Sequence, residues 1–233
     1  AYRTLALRDG NGRFAAMVRQ IERSVAPRHP GELAVYLTEP DFARPLPPAA
    51  PLPTDYAKVF SYSSLARIRR GNASGTILAG NSTLFSFRKG AAALEAVRFA
   101  SAFFGKGQFE GAALEVRDGR YQLRQELDGP YFQPLTKDQI AGGEHVKMAP
   151  NGTLAPNSKA LRARSNVCVL TSAVEVTESA GKFALAFSIR GTDHVPVAIE
   201  LAFRHGGKLE GVKPVAGVKD AFLLERGTGR YSV

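Results

Sequence analysis

The chain has 233 residues, of which 44% are hydrophobic, and its 31 Lys and Arg against 21 Asp and Glu give a formal charge of +10. This composition excludes a disordered chain, and no stretch approaches the ~20 consecutive apolar residues that a membrane-spanning helix requires. The basic surplus favours anionic partners such as acidic polysaccharide, nucleic acid or a membrane surface, although it can also serve solubility alone.

The first predicted element is a helix over residues 9–26, which Pro27 ends. The apolar residues that fall at helical spacing on one face are Phe14, Met17, Val18, Ile21 and Val25. One narrow apolar stripe needs a partner surface to be stable. We therefore assign residues 1–39 to a helical lead-in, which an N-terminal helical domain of the same gene product could complete.

A proline-rich segment follows this lead-in. Six prolines lie between residues 40 and 53. Because proline lacks an amide donor and fixes φ, neither a helix nor a sheet is expected to run through them. The sequence predicts an extended connector over residues 40–55 and a β domain over residues 56–233.

In the β domain, apolar runs with two-residue periodicity alternate with glycine turns. Asp118-Gly119 and Ala180-Gly181 are hairpin signals because these positions call for positive φ, and Gly206-Gly207 is predicted to turn residues 199–204 back onto residues 208–212. The predicted strands cover residues 64–70, 74–80, 83–88, 92–103, 107–117, 120–127, 160–178, 182–190, 195–204, 208–213, 221–226 and 229–233. The expected fold class is mainly β: a large two-sheet antiparallel β-sandwich with a short N-terminal helical segment.

Residues 128–159 interrupt this pattern and are predicted to form a long loop, which is often a functional feature. Within it, Tyr131 and Phe132 lie between Pro130 and Pro134. Exposed aromatic rings can stack on the apolar C–H face of a sugar. The alternative is that both rings close the end of the sandwich core, and the lack of any Trp counts against a dedicated sugar-binding platform.

One basic group supplies candidate anion contacts. Arg67 and Arg69 alternate along a predicted strand, which places both on one face. Arg162 and Arg164 form the other dense basic group, and neither group is a run of the kind that marks a nucleic-acid-binding tail. Two guanidinium groups on one face can bind a carboxylate or sulfate through paired hydrogen bonds. Arg88, one or two strands on from Arg67, could join them. The alternative is a solvated basic face.

The sequence contains no recognisable metal or nucleophile motif. His145 and His194 each follow an acidic residue and could contribute one contact with partners elsewhere, but exposed histidines without a role explain them equally simply. Cys168 is the only cysteine, so no intrachain disulfide is possible and the chain cannot build a metal site from several thiolates. We therefore predict no metal and no cofactor. Nucleic acid is a poor candidate partner because aromatic residues are not interleaved with the basic ones.

The order of elements resembles the C-terminal half of heparinase II/III-like proteins and related polysaccharide lyases, where an α-helical toroid precedes a β-sandwich. Residues 56–90 and the turn at residues 103–107 carry the resemblance. It implies β-elimination from uronic-acid polysaccharides, in which a base removes the proton next to the carboxylate. In that family the catalytic tyrosine usually comes from the toroid, so no catalytic residue is assigned to this chain.

We therefore expect a carbohydrate-associated β-sandwich, accessory to or part of a protein that binds or degrades acidic polysaccharide or oligosaccharide. Whether the chain is itself an enzyme stays open; if so, a polysaccharide lyase or a related carbohydrate-active enzyme is expected. The alternative is a non-catalytic structural or protein-interaction module. A secreted or periplasmic bacterial protein is favoured over a cytoplasmic one.

Overall fold

The computed structural model describes residues 2–24, 38–143 and 161–233. The chain divides into two compact units, Ala1–Thr54 and Asp55–Val233. Across the described ranges, no helix has the length and apolar character needed to cross a bilayer.

Residues 2–24 of the first unit form two helices where the sequence predicted one. Helix α1 covers Tyr2–Asp9 and helix α2 covers Gly12–Ser24. Between them Gly10 adopts a φ of 60°, a conformation that glycine reaches without steric cost. The Asn11 side chain then accepts a hydrogen bond from the Arg13 amide at 2.9 Å, which caps the start of α2. Val25, part of the predicted apolar stripe, lies outside the described residues.

The proline-rich segment packs against these helices. Arg3 donates hydrogen bonds to the carbonyls of Phe42 and Arg44 at 2.6 and 2.8 Å, and the Ala50 amide donates to the carbonyl of Gly12 at 3.0 Å. A 3₁₀ helix covers Pro40–Ala43, although no helix was expected there. Proline is tolerated at the first position of a helix, where the amide needs no intrahelical partner.

The second unit is an antiparallel β-sandwich, which confirms the predicted fold class. Sheet A has the strand order β1-β2-β3-β4-β5-β10 and sheet B the order β6-β7-β8-β9, while β11 pairs with β14 and β12 with β13. The strands are β1 (Asp55–Phe60), β2 (Leu65–Arg70), β3 (Ala73–Leu78), β4 (Phe85–Lys89), β5 (Ala92–Ser101), β6 (Leu114–Arg117), β7 (Arg120–Phe132), β8 (Arg164–Ser179), β9 (Lys182–Gly191), β10 (Val197–Phe203), β11 (Lys208–Glu210), β12 (Lys213–Pro214), β13 (Phe222–Leu223) and β14 (Arg230–Ser232).

The hydrophobic core lies between the two sheets. Alternate residues of the central strands point into it, such as Ile68 and Ile77 from sheet A and Leu123 and Val174 from sheet B. The side chains of β9 that pack against this core are Phe183, Leu185, Phe187 and Ile189. These four residues share one face, as their two-residue spacing predicts.

Two of the three predicted glycine turns are hairpins. Asp118-Gly119 joins β6 to β7 and Ala180-Gly181 joins β8 to β9, and all four residues have positive φ. The prediction for Gly206-Gly207 was wrong, because β10 pairs with β5 whereas β11 pairs with β14. The Tyr231 hydroxyl donates to the Arg204 carbonyl at 2.6 Å, so the chain that leaves β10 is held by β14.

The predicted loop at residues 128–159 starts later than expected. Strand β7 continues to Phe132, which pairs with Arg164, and a register shift occurs between Gly129 and Tyr131. This irregularity accommodates Pro130, which has no amide to donate to the ladder. A short helix, α3, covers Lys137–Ala141.

Candidate functional site

An open depression of about 560 Å³ lies at the end of sheet B. We call it the basic depression, and its walls are formed by Phe104, Lys106, Asp128, Pro130, Phe132, Arg162 and Arg164. Strand β7 contributes Asp128, Pro130 and Phe132 to this wall. Arg164 lies opposite Phe132 on β8, so the two central strands of sheet B supply most of the wall.

Asp128 holds two of the cations in this depression. The Lys106 amine donates to the Asp128 carboxylate and to its backbone carbonyl, both at 2.6 Å, and Arg164 forms an ion pair with the other carboxylate oxygen. The hydrogen bond from Lys106 and then that from Arg164 lower the pKa of Asp128. This carboxylate is therefore ionised at neutral pH and is a weak base.

Arg162 is the uncommitted cation of the basic depression. Its side chain is exposed, and it forms no hydrogen bond or ion pair with the rest of the described chain. The backbone on either side of it is fixed, because the Gln133 amide donates to the Ala163 carbonyl at 2.8 Å and Gln139 Nε2 donates to the Leu161 carbonyl at 2.6 Å. The backbone of Arg162 is therefore anchored beside the site, and the donors of its guanidinium group are available to a ligand.

A second open depression, of about 430 Å³, adjoins the first. We call it the apolar depression, and its walls are formed by Phe132, Pro134, Leu135, Ile140 and Arg162. Helix α3 supplies Ile140. Thr136 and Gln139 form a reciprocal capping box at the start of α3, which stabilises a helix too short to persist alone.

The aromatic side chains at this end of sheet B are partly exposed. The ring of Tyr131 contacts that of Phe104 edge to face at a centroid distance of 5.3 Å, and Phe104 lies over Gly129, where a Cβ would collide with its ring. Tyr131 is 55% exposed, and Phe132 lines both depressions. Neither ring belongs to the described hydrophobic core, so the rings do not close the end of the sandwich.

The predicted arginines lie on a different surface, the outer face of sheet A, which we call the arginine face. In β2, Ala66 and Ile68 are buried whereas Arg67 and Arg69 point outward. Ser74 pairs with Arg69 on one side and Arg88 on the other. The structure therefore brings Arg69 and Arg88 into one row across three strands, as the alternation suggested.

Hydrogen bonds hold two guanidinium groups of the arginine face against the sheet. Arg67 bonds to the hydroxyl of Thr76 and, at 3.3 Å, to that of Ser74. Arg69 Nε donates to the Gly71 carbonyl at 3.1 Å. Lys58 lies opposite Arg67 on β1. The arginine face thus supplies positive charge, but its residues line neither of the two depressions.

Of the two predicted histidines, the structure describes only His194. His145 lies outside the described residues. His194 is exposed, has a φ of 57° in the turn between β9 and β10, and lines neither depression. Within residues 2–24, 38–143 and 161–233, no group of three or more His, Cys, Asp or Glu side chains converges on a common point.

Sequence reasoning missed how the depression is assembled. Lys106 and Phe104 come from the turn after β5, far from residues 128–164 in the chain, and nothing in their local sequence links them to Asp128. The signals that could have been combined were the aromatic pair at residues 131 and 132 and the alternating pair Arg162 and Arg164.

Comparisons of the chain with protein-family models, with curated proteins and with solved structures gave no match. The resemblance to heparinase II/III-like proteins is therefore carried by residues 56–90 and 103–107 alone. The function proposed below depends on the chemistry of the two depressions.

Proposed function

We propose that the chain is a carbohydrate-associated β-sandwich that binds an acidic polysaccharide or oligosaccharide at the basic depression. It would act as part of, or accessory to, a protein that degrades such a polymer, as the resemblance implies. The observation that carries the proposal is the position of the uncommitted Arg162 beside the ring of Phe132. An acidic sugar offers a carboxylate or sulfate to the guanidinium and an apolar C–H face to the ring.

The charge of the depression supports an anionic ligand. The described part of its wall contains three cations and one carboxylate. These residues therefore keep a positive balance after Asp128 has paired with Lys106 and Arg164. Arginine suits planar carboxylates and sulfates because its fork of donors matches their oxygens.

The same geometry favours binding over catalysis by these residues. β-Elimination needs a base for the proton next to the carboxylate. Asp128 is the one carboxylate among the described residues of the wall. Its pKa is lowered by Lys106 and then by Arg164, which makes it a poor proton acceptor. In a lyase of the kind the resemblance implies, the base would come from elsewhere.

Affinity electrophoresis in gels that contain polygalacturonate, alginate or heparin tests the proposal, with neutral dextran as the control polymer. We expect the wild-type chain to be retarded by at least one acidic polymer and not by dextran. Arg162→Ala should lose most of the retardation. Arg226→Ala is the matched control, because Arg226 is also exposed and lines neither depression.

Two results would overturn the proposal. One is the absence of retardation by every acidic polymer at low salt. The other is an equal loss of retardation in Arg162→Ala and Arg226→Ala, which would show that net charge alone, rather than the depression, holds the polymer.

A protein-interaction module is the second candidate, with a second copy of the chain as the partner. Val197, Ile199 and Leu201 of β10 are 49%, 50% and 49% exposed, although Ile199 pairs with Phe99 and Leu201 with Val97, which are buried. Sheet A has six strands and sheet B four, so this edge of sheet A extends beyond its cover. An uncovered apolar row on an edge strand suits strand-to-strand association.

Sedimentation velocity of the wild-type chain and of Ile199→Glu tests this candidate. A concentration-dependent dimer that Ile199→Glu abolishes would support it. A wild-type chain that stays monomeric at every concentration would contradict it.

A further inference from the structure

The two depressions differ in chemistry but share a wall. The basic depression carries Lys106, Arg164 and Asp128, whereas the residues that the apolar depression does not share are Pro134, Leu135 and Ile140. Phe132 and Arg162 line both. A ligand whose anionic group is bound by Arg162 therefore lies at the border between a charged and an apolar environment.

We infer that the ligand is an acidic saccharide that carries an apolar substituent, such as an aryl, acyl or ester group, next to its charged unit. The charged unit occupies the basic depression and the substituent occupies the apolar one. This inference rests on the proposed function and adds the class of ligand that the site selects.

A second unsubstituted uronate would be a poor occupant of the apolar depression. Its hydroxyl groups would lose hydrogen bonds to water and find few replacements, because Pro134, Leu135 and Ile140 have no polar side-chain atoms. Nearby backbone groups are already committed, since the Leu161 carbonyl accepts from Gln139 and the Gln133 amide donates to Ala163. An apolar substituent, by contrast, gains free energy in proportion to the surface it buries.

The apolar wall is also held in position before any ligand binds. Gln139 accepts a hydrogen bond from the Thr136 amide at 2.8 Å through Oε1, and its Nε2 reaches the Leu161 carbonyl. The same side chain thus fixes the start of α3, which carries Ile140, and the residue before Arg162. Because this wall is already ordered, ligand binding loses little free energy in immobilising its side chains.

Chemical-shift titration of the ¹⁵N-labelled chain with three small probes tests the inference. The probes are D-glucuronic acid, 4-nitrophenyl β-D-glucuronide and, as the uncharged control, 4-nitrophenyl β-D-glucoside. We expect the aryl glucuronide to bind about tenfold more tightly than the free acid, the gain for burying part of an aromatic ring. The glucoside should bind more weakly than the aryl glucuronide because it lacks the anion.

Substitutions test whether the tighter binding of the aryl glucuronide comes from the apolar depression. Ile140→Ser should reduce the affinity for the aryl glucuronide toward that of the free acid and leave the free acid unchanged, whereas Arg162→Ala should weaken both. Val218→Ser is the matched control, because Val218 is 56% exposed, like Ile140 at 49%, but lies outside both depressions. Both substituted side chains are exposed, so the fold should persist, which circular dichroism verifies.

The outcomes separate this inference from the proposed function. If the polyuronates, the free acid and the aryl glucuronide all fail to bind, the proposed function is overturned, and the inference is overturned with it. If the free acid and the aryl glucuronide bind equally well, the inference alone is overturned. An aryl gain that survives Ile140→Ser would also overturn it, because the substituent would then lie elsewhere.

Discussion

Gly75 shows at the scale of one residue how the two sheets fit together. It lies in β3, and a Cβ at this position would come within 2.5 Å of Cζ of Phe183 on β9. The Phe183 ring also contacts Phe85 and Phe87 at centroid distances of 5.3 and 5.4 Å. Because two rings of β4 already contact this ring, its freedom to move away from an added methyl group is limited.

Gly75→Ala should therefore destabilise the β-sandwich. We expect the free energy of unfolding to fall by about 1–3 kcal/mol, the usual range for overpacking a core. Phe183→Leu should relieve part of this loss when the two substitutions are combined. Urea denaturation of both single variants and the double variant gives the coupling energy, and purely additive effects would contradict the proposed contact.

Asp128 is the second residue whose substitution has a predicted effect, in this case on the affinity for an anionic ligand. Its carboxylate repels an anionic ligand and neutralises Lys106 and Arg164. Asp128→Asn should therefore raise the affinity for dextran sulfate several-fold at neutral pH. Dextran sulfate is the suitable polymer because its sulfates stay ionised in acid. Asp118→Asn, in the β6–β7 hairpin, is the matched control: it changes the net charge equally and should raise the affinity only slightly.

The advantage of Asp128→Asn should shrink as the pH falls. Lys106 and then Arg164 lower the pKa of Asp128, so the wild-type carboxyl keeps its charge below the ordinary Asp value of about 3.9 and loses it only at more acidic pH. The stability from these ion pairs is present above the unfolded-state pKa and is lost as pH falls through the lowered folded-state pKa. An affinity ratio that stays constant down to acid unfolding would refute this role for Asp128.

At the scale of elements, the local signals were sufficient for hairpins and insufficient for long-range pairing. Asp118-Gly119 and the alternation of β9 predicted structure correctly because both depend on neighbours in the chain. Gly129 and Pro130 suggested a loop, but pairing with the distant β8 carries β7 through them. Residues 107–113, predicted as strand, make one isolated bridge at Gln108, since Gly111 adopts positive φ.

The candidate site shows the same contrast between local signals and long-range pairing. Alternation alone placed Arg67 and Arg69 on one face. The meeting of Phe132, Arg162 and Lys106 depends on the register of β7 with β8 and on the turn after β5, and neither is encoded in a short window of sequence.

Helix α3 gives the prediction that belongs to the element scale. A helix of five residues is not stable by itself, and Gln139 links it to the Leu161 carbonyl. Gln139→Ala should cost about 0.5–2 kcal/mol of local stability, as the loss of a cap does. It should therefore reduce hydrogen-exchange protection of the Ile140 and Gly142 amides, which bond within this turn.

The matched control for this element is Lys137→Ala, which removes a side chain from α3 without touching the cap. It should leave the protection of both amides unchanged. The affinity for the aryl glucuronide should fall in Gln139→Ala and hold in Lys137→Ala. Unaltered protection in Gln139→Ala would show that the helix does not depend on this link.

At the scale of the whole molecule, charge can attract a polyanion without any site. The +10 net charge raises the local concentration of acidic polymer around the chain, and this attraction weakens as salt screens it. The arginine face adds Lys58, Arg67, Arg69 and Arg88 on the outside of sheet A. A polymer that binds at the basic depression is therefore attracted by the charges of the depression and also by the positive charge distributed over the rest of the surface.

Salt dependence separates the two contributions. Arg162→Ala and Arg88→Ala lower the net charge equally, so both should weaken long-range attraction by the same small amount. Only Arg162→Ala should also lower the slope of log affinity against log salt by about one released counterion, because a direct contact with the polymer is lost. Arg88→Ala should give a line parallel to that of the wild type. If the two variants give superimposable lines, distributed charge rather than the depression holds the polymer. If Arg88→Ala alone lowers the slope, the arginine face is the binding surface.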